Sequence, residues 1–554
     1  MKYEPIRASV SQETISKVTH LFNGTLPDIL NELLQNARRA GASAVEVDAT
    51  PHGNGLQITI ADDGCGIDDP ARVIALGASG WDEHIARNET PAGMGVFSLA
   101  GKTTMIESCA APLAGWKICI ADDAWTGEKD IAVHPSKRVR GTSITFVMPD
   151  VHDASLEYAL NEAAKFYPLA VRYRGKERER QDFLEKAIHI ENWNGSRIGV
   201  FAGSSYREPT VNFHGLTLFD KLIELSQLGR SPLTARIDVG DTPELQLVLP
   251  ARKEFVKNVG HADLLKACER ACYRAIAGQD THSLTFEQYQ RGLELGIDLG
   301  EAEAVLAAWE PGTADAEESA PSGEATPITG DEFLMGNDVP CFDQTVARAL
   351  KGHPIREKLV ERHPAYEGYS WYDALREVRD PGFIIEIDGV CNNAEDLPSS
   401  EDLEAINKAD RIWFVFSIDE QGKTQGERER IKTDLALVYP EGSSFDGLDD
   451  VLIAYVPDAT LTPDSFVQIL DDACFSAWND SDADSWDTQH ERFLRDAREL
   501  AYRTLEGEDA ALASQFRDAL ARVVYLLPEG KRIDISYTKG AAIDVAITDQ
   551  AAKP

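Results

Sequence analysis

A carboxylate and an amide stand four residues apart in the segment Glu32-Leu-Leu-Gln-Asn36. Apolar residues recur around them at helical spacing after Pro27, so the pattern predicts a helix that aims both side chains to one side. A carboxylate can polarise water and an amide oxygen can bind a divalent metal, which are the two groups that a magnesium–nucleotide site requires. Taken alone, the pair is better explained as a solvated contact on an amphipathic helix.

A pair of glycines follows a predicted strand. The run Leu56-Gln-Ile-Thr-Ile60 alternates apolar and polar residues and leads into Asp62-Asp-Gly64-Cys-Gly66. The two glycines permit positive φ angles and a close approach of the backbone to a ligand. Asp62 is placed to accept a hydrogen bond from the exocyclic amine of adenine, although an Asp-Gly turn without a ligand explains the pattern equally well.

A third block, Gly93-Met-Gly95-Val-Phe-Ser98, is rich in glycine and precedes an apolar run. Backbone amides that glycines expose at the start of a helix favour phosphate binding, although such a block is weak evidence by itself. The nearby Gly101-Lys-Thr103 looks like the end of a P-loop. Five residues separate it from Gly95 where a P-loop requires four, so the sequence excludes that motif.

In this order, the three blocks and the later Gly141-Thr142, with its strand-like continuation, resemble the GHKL superfamily of ATPases. That superfamily contains gyrase, the ninety-kilodalton heat-shock chaperones, histidine kinases and mismatch-repair ATPases. The resemblance covers the first domain, 1–150, and implies a Bergerat-type α/β sandwich that uses ATP and Mg²⁺. A histidine kinase is not expected, because only His20 precedes Glu32 in this sequence and a phosphoacceptor hairpin would need more residues there.

The resemblance implies roles for the residues that perform chemistry. Glu32 matches the general base that activates water, Asn36 matches the magnesium ligand, and Asp62 matches the adenine reader. Gln35 stands where many members carry an aspartate.

The resemblance also implies roles for the residues that surround the nucleotide. Gly64 and Gly66 match the turn against the base, and Gly93 and Gly95 match the contacts at the end of a mobile lid. The lid itself is expected between Gly77 and Pro91. Thr142 matches the residue that assists Asp62 through its hydroxyl group or through water.

Three regions follow the first domain. Residues 151–309 combine predicted strands with a helix over 262–277 and resemble the transducer domain of gyrase and mismatch-repair proteins. Residues 310–340 contain eight acidic residues and no Lys or Arg, so they are predicted to form a flexible acidic linker. Residues 341–554 alternate helical and strand patterns, including a predicted strand over Val523–Leu527, and form an α/β domain of unknown role. The expected fold class is therefore mixed, α/β and α+β.

Lys253 is the candidate for a lysine that the second domain presents to the γ-phosphate. It follows a predicted strand, Leu245–Leu249, which Pro250 ends, so the lysine is expected in a cationic loop. Transducer domains present such a lysine, and the role is implied by that resemblance. An ordinary surface Arg-Lys pair is the favoured alternative.

Composition limits the choice of partners. With 55 basic against 93 acidic residues the net charge is −38, so broad binding to a nucleic-acid backbone is not expected. The alternating basic cluster Arg172–Arg180 is either a local nucleic-acid contact or, as we favour, a charged face balanced by carboxylates. The sequence shows neither a signal peptide nor eighteen consecutive apolar residues, which predicts a cytoplasmic protein without a membrane partner.

The sequence therefore predicts an enzyme, an ATPase that couples lid closure or homodimerisation to an effector or client-binding module at 341–554. A protein client fits the acidic balance and would make the chain chaperone-like. Two alternatives stay open, namely an ATP-gated scaffold that does not hydrolyse its nucleotide and a DNA-linked ATPase of a repair, topology or defence system.

Overall fold

The protein is described by a computed structural model of the chain. The described residues are 25–75, 95–126, 129–204, 208–248, 254–315, 324–335, 342–397, 406–419, 428–438, 448, 451–457, 460–478, 483–521, 523–526, 530–538 and 543–549. The chain divides into two compact units, Met1–Ala302 and Glu303–Pro554. Each unit has its own sheets and hydrophobic cores, and the mixed architecture confirms the predicted fold class.

The first sheet of the N-terminal unit has eight strands in the order β5-β4-β3-β6-β2-β1-β7-β8. Neighbouring strands are antiparallel except for β1 and β7, which run parallel. The strands are β1 Ala44–His52, β2 Gly55–Asp62, β3 Thr104–Cys109, β4 Trp116–Ile120, β5 Val133–Pro135, β6 Gly141–Met148, β7 Ala170–Tyr173 and β8 Lys176–Glu177.

Two helices share a core with this sheet, α1 Leu26–Arg39 and α2 Asp153–Ala164. The strands bury alternate residues, as in β2, where Leu56, Ile58 and Ile60 are buried. Helix α1 buries one apolar face, and each fully buried leucine or isoleucine on it stabilises the fold by about 1.5–3 kcal/mol. The helix and the strand end at Asp62 are thereby held in one core.

Helix α2 and strands β7 and β8 complete this first sheet and its core, although they follow residue 150, where the sequence predicts the end of the first domain. Their buried residues include Leu156, Leu160 and Val171. Because their apolar side chains enter the same core as those of α1, the packing of the first sheet extends to about β8.

A second sheet of six strands follows, in the order β12-β11-β14-β10-β9 with β13 paired to β14. Its strands are β9 His189–Trp193, β10 Ser196–Ala202, β11 Val211–Phe213, β12 Leu216–Leu218, β13 Glu224–Gln227 and β14 Arg230–Val239. Helix α3, Val259–Ala277, packs on it, and α4, Phe286–Glu294, follows. The predicted strand Leu245–Leu249 is not found in its described part, where only Leu247 forms an isolated bridge, with Phe255.

The described residues of the C-terminal unit form four further sheets, with the strand orders β15-β16, β18-β17-β19-β22-β23 with β20 beside β19, β21-β25-β24, and β26-β27. The strands are β15 Val305–Ala307, β16 Ala325–Pro327, β17 Phe333–Met335, β18 Leu359–Glu361, β19 Arg376–Ile387, β20 Val390–Asn393, β21 Ile406–Lys408, β22 Arg411–Asp419, β23 Glu429–Thr433, β24 Leu435–Val438, β25 Leu452–Tyr455, β26 Lys531–Ser536 and β27 Asp544–Asp549. The helices are α5 Asp343–Ala349, α6 Ser370–Asp373, α7 Pro463–Cys474, α8 Trp486–Glu506 and α9 Glu508–Ala521.

Two regions of this unit differ from the sequence expectation. The stretch expected as a linker contributes β16 and the buried strand β17, because Phe333-Leu-Met335 supplies an apolar run that pairs with β18 and β19. The strand predicted over Val523–Leu527 is wrong, since Val524–Leu526 is a short 3-10 helix with exposed Tyr525 and Leu526. A short apolar run does not by itself distinguish a strand from another element.

Candidate nucleotide site

Helix α1 presents Glu32 and Asn36 from successive turns. The helix begins after Thr25, whose hydroxyl oxygen accepts a hydrogen bond from the Asp28 amide at 3.4 Å. Glu32 and Asn36 are both half-buried, whereas the apolar face of the helix enters the core. The Asn36 side-chain oxygen accepts a hydrogen bond from Arg39 Nη1 at 3.3 Å and retains lone-pair capacity for a second partner.

Asp62 ends strand β2 with its carboxylate held by two backbone amides. Its Oδ1 atom accepts hydrogen bonds from the Gly64 amide at 2.9 Å and from the Thr142 amide at 3.4 Å. Burial raises the pKa of the Asp62 carboxyl above its ordinary value, while these two amides oppose that rise. The two amides therefore fix the direction of the carboxylate. Their hydrogen bonds offset only part of the cost of removing it from water.

The glycine turn after Asp62 packs more closely than any side chain would permit. A Cβ on Gly64 would lie 2.7 Å from the Cβ of Ala40, just past the end of α1. A Cβ on Gly66, which has φ +73°, would lie 2.1 Å from the Cys109 carbonyl oxygen on β3. The Cys65 amide donates to the Ala40 carbonyl at 2.8 Å, so this turn joins α1 to the sheet.

Thr142 lies beside Asp62, but its backbone amide makes the contact that the structure shows. Its hydroxyl oxygen lies 2.9 Å from the Ser108 hydroxyl, which donates to the Gly141 carbonyl at 3.2 Å. The same Ser108 oxygen accepts a hydrogen bond from the Ile67 amide at 2.8 Å. Ser108 therefore connects the glycine turn to the start of β6.

Sequence reasoning did not identify Ser108, although one signal was present. Along β3 the buried positions alternate through Thr104 and Ile106 to Ser108, so the serine stands where the pattern predicts an apolar residue. A hydroxyl in such a position requires hydrogen-bond partners, because an unpaired buried polar group is costly. Here the partners are Ile67, just after the glycine turn, and Gly141 and Thr142 at the start of β6.

Arg138 is a second residue that sequence reasoning missed. Its Nη2 atom donates to the Asp62 carbonyl at 2.7 Å and to the Thr142 carbonyl at 2.8 Å, and its Nε atom donates to the Gly141 carbonyl at 3.0 Å. A Cβ on Gly141 would lie 2.1 Å from the Asp62 carbonyl oxygen, so the two backbones nearly touch. The guanidinium group holds them together and also lowers the pKa of the Asp62 carboxyl, although less than burial raises it.

Gly95 begins a 3-10 helix, Gly95–Leu99, that packs against α1. Within it the Ser98 side chain is 6% exposed, and its hydroxyl oxygen has no hydrogen-bond partner among the described residues. A buried hydroxyl of this kind is a donor that a phosphate oxygen would satisfy. The segment that the sequence assigns to phosphate thus fits such a group.

Several predicted site residues lie outside the described part of the chain. Gly93, the expected lid over 77–91 and the candidate lysine Lys253 all belong to this group. Among the described residues, α1 contacts the 3-10 helix at Gly95, the end of α1 contacts the turn after Asp62, and Asp62 contacts the start of β6.

The basic cluster is balanced by carboxylates, as the favoured interpretation expects. Arg172 lies 2.9 Å from Glu46, and Arg178 lies 2.6 Å from Glu157. Arg174 pairs in the same way with Asp153 at 2.9 Å. These ion pairs neutralise the arginine charges that binding to a nucleic-acid backbone would require.

Neither a clustered metal site nor a membrane-spanning helix is present among the described residues. Within those residues, no group of three or more His, Cys, Asp or Glu side chains is arranged to hold a metal ion. A magnesium ion held by one amide and by phosphate oxygens does not need such a group. Among the helices of the described residues, none is long and apolar enough to cross a membrane.

Comparison with known families agrees with the geometry. The family described as histidine kinase-, DNA gyrase B-, and HSP90-like ATPase matches residues 24–152, which include Glu32, Asn36, Asp62 and Thr142. A search of the curated proteins found no match. The matched segment contains α1 and strands β1 to β6 and includes the Asp62 turn. Residues 24–152 are therefore an ATP-binding domain of the GHKL superfamily.

Proposed function

We propose that the chain binds ATP with Mg²⁺ and hydrolyses it, and that nucleotide binding drives lid closure or dimerisation coupled to the unit Glu303–Pro554. The observation that supports this most strongly is the Asp62 carboxylate, which is fixed by the Gly64 and Thr142 amides beside a close-packed glycine turn. A carboxylate so fixed is a suitable acceptor for the adenine amino group, which gives the site its choice of nucleotide.

In the proposed reaction, Glu32 accepts a proton from a water molecule as the water oxygen attacks the γ-phosphorus. The bond from that phosphorus to the bridging oxygen breaks, and ADP and inorganic phosphate leave. Asn36 would hold the magnesium ion, which supplies positive charge to the phosphate oxygens when it is bound. The phosphates would contact Gly93, Gly95 and the Ser98 hydroxyl group.

Two further assignments belong to the proposal. Lys253 would reach the γ-phosphate from the second domain, and Thr142 would support Asp62 through its backbone amide as well as through its hydroxyl group. The ion pairs of the basic cluster argue against a DNA-linked role that depends on that surface. A protein client of the C-terminal unit is the partner that we propose.

Phosphate release from the full chain, with and without Glu32→Ala, tests this function. We expect slow release in the wild type and at least about a tenfold loss in the variant, with ATP binding retained, because general-base catalysis contributes about 10²–10⁴-fold. Binding without release in either protein would identify the ATP-gated scaffold instead. Absence of binding would refute the proposal.

Gated dimerisation has its own test. Light scattering of the full chain, with and without a non-hydrolysable ATP analogue and Mg²⁺, should show a doubling of mass with the analogue. An unchanged mass would remove dimerisation from the proposal without affecting hydrolysis.

A further inference from the structure

Helix α1 carries one buried polar side chain, Gln35, among its fourteen described residues. Gln35 is 5% exposed and lies in sequence directly before Asn36 and three residues after Glu32. A primary amide buried among leucines is costly unless its donor and acceptor are both used. The partners of Gln35 therefore indicate what the helix must contact.

The Gln35 side-chain NH₂ group forms a hydrogen bond with the second sheet. Its Nε2 atom donates to the carbonyl oxygen of His214 at 2.8 Å, and its Oε1 atom accepts from Arg38 Nε at 3.4 Å. His214 and Gly215 form the two-residue turn between β11 and β12, and both have positive φ, +54° and +97°. The hairpin turn of the second sheet is thus hydrogen-bonded to α1, which shares its core with the first sheet.

A second hydrogen bond to α1 comes from Tyr167, which lies between α2 and β7 and packs against the same turn. The Tyr167 hydroxyl donates to the Leu34 carbonyl at 2.5 Å, one residue before Gln35. Burial raises the pKa of the Tyr167 hydroxyl, so the group keeps its proton at neutral pH. A Cβ on Gly215 would lie 2.8 Å from the Tyr167 ring and 2.9 Å from its Cα, so the turn is packed against Tyr167.

The turn is itself fixed to the centre of the second sheet through Asn212. The Asn212 side-chain oxygen accepts from the Gly215 amide at 2.8 Å, and its nitrogen donates to Asp238 at 2.7 Å. Asp238 on β14 also pairs with Arg197 at 2.7 Å. A movement of the second sheet would therefore move the turn, and the turn would move α1.

We propose that Gln35 is a positioning residue that couples the His214–Gly215 turn to the nucleotide-binding helix, so that a change in either one alters the other. The proposal rests on the ATPase function above. The hydrogen bond from Gln35 sets the rotation of α1 and hence the aim of Glu32 and Asn36, which flank the bonded residues. Nucleotide bound at that helix strengthens the contact with the turn, and loss of the contact leaves nucleotide bound but Glu32 misaligned.

Two variants break the contact from its two sides. Gln35→Met keeps the volume of the side chain and removes the donor, and Gly215→Ala forces a methyl group into Tyr167 at a backbone conformation that alanine resists. Gly229→Ala is the matched control. Gly229 lies in the turn between β13 and β14 of the same sheet, has φ +65° and has open space around its Cβ position.

The experiment measures hydrogen exchange of residues 211–218 in the full chain, with and without Mg²⁺ and a non-hydrolysable ATP analogue. We expect the analogue to slow exchange there in the wild type and in Gly229→Ala, and not in Gln35→Met or Gly215→Ala. Calorimetry should show that both contact variants bind the analogue within about threefold of wild type. Their single-turnover hydrolysis should fall about tenfold, as expected for misplaced reacting groups.

Unchanged exchange in the wild type, or a normal response in Gln35→Met, would overturn the inference. It would also be overturned if Gln35→Met lost nucleotide binding as strongly as hydrolysis, because the residue would then only maintain the fold. The failure of the proposed function has a different signature, since wild type would then bind no nucleotide in calorimetry. If wild type binds without hydrolysis, the exchange measurement still decides.

Discussion

Arg138 Nη2 lies 2.7 Å from the carbonyl oxygen of Asp62, although 76 positions separate the two residues in the sequence. The same guanidinium group also binds the carbonyls of Gly141 and Thr142. Three carbonyl groups from two strand ends thus converge on one cation. This arrangement fixes the backbone that carries the Asp62 side chain, the proposed adenine acceptor.

Replacement of Arg138 is expected to weaken ATP binding. Arg138→Ala should raise the dissociation constant about tenfold, because hydrogen bonds to a charged group contribute about 1.5–3 kcal/mol each and the freed carbonyls would separate. Arg138→Lys should give an intermediate value, since an ammonium group cannot reproduce the planar fork. Calorimetry with Mg²⁺ and ATP provides the measurement. The control is Arg172→Ala, which changes a half-buried arginine on β7, and equal losses in both variants would contradict the assigned role.

Asp62→Asn should separate affinity from stability. The asparagine oxygen can still accept from the Gly64 and Thr142 amides, but its nitrogen would then face the adenine amine, donor against donor. We expect ATP binding to be lost, while the melting temperature stays the same or rises because the neutral side chain avoids the cost of burying a charge. Thermal unfolding beside calorimetry tests this, and a large drop in melting temperature would show a mainly structural role.

ATP affinity should also depend on pH through Asp62. Only the ionised carboxylate is a pure acceptor, and burial raises its pKa above the ordinary value of 3.8, so affinity should fall as acidification passes through the raised pKa. The effect on stability has the opposite sign. A raised folded-state pKa contributes stability that is complete below 3.8 and is lost as the pH rises through the folded pKa.

The pH dependence is measured by titrating ATP at successive pH values with wild type and with Thr142→Ser, which keeps the backbone amide. Both proteins should show the same acid limb. The assignment to Asp62 would be contradicted if wild-type affinity stayed constant down to the pH at which the protein unfolds.

Ser108→Ala is expected to destabilise the first domain. The change removes the acceptor of the Ile67 amide and the partner of the Thr142 hydroxyl, and unsatisfied buried groups cost about 1–3 kcal/mol. Urea unfolding should show a lower midpoint with the slope unchanged. A midpoint equal to that of wild type would mean that water replaces the serine hydroxyl.

The sequence was informative where the chemistry is local. Asp62, Gly64 and Gly66 are spaced by the turn that they form, and Glu32 and Asn36 are spaced by one helical turn, so residue types and intervals predicted the fold class and the nucleotide-binding family. A Cβ at Gly66 would lie 2.1 Å from a carbonyl oxygen, so no other residue type fits at that position. Such requirements leave a visible mark on the sequence.

Contacts between distant parts of the chain left no such mark. Gln35 donates a hydrogen bond to His214, which is 179 positions away in the sequence, and neither residue type indicates that contact. Likewise the apolar run at Val523 looked like a strand, whereas Tyr525 and Leu526 are exposed in a short 3-10 helix. Tertiary packing decides these features, and a local pattern does not contain it.

The most direct test of the proposed adenine site compares the binding of ATP and inosine triphosphate to the wild-type chain by calorimetry with Mg²⁺. Inosine triphosphate carries a carbonyl oxygen where ATP has its amino group, so it would place an acceptor against the Asp62 carboxylate. We predict that ATP binds and that inosine triphosphate binds at least about tenfold more weakly, because a polar site rejects an analogue that lacks its donor. Equal affinities, or no heat with ATP, would contradict the account.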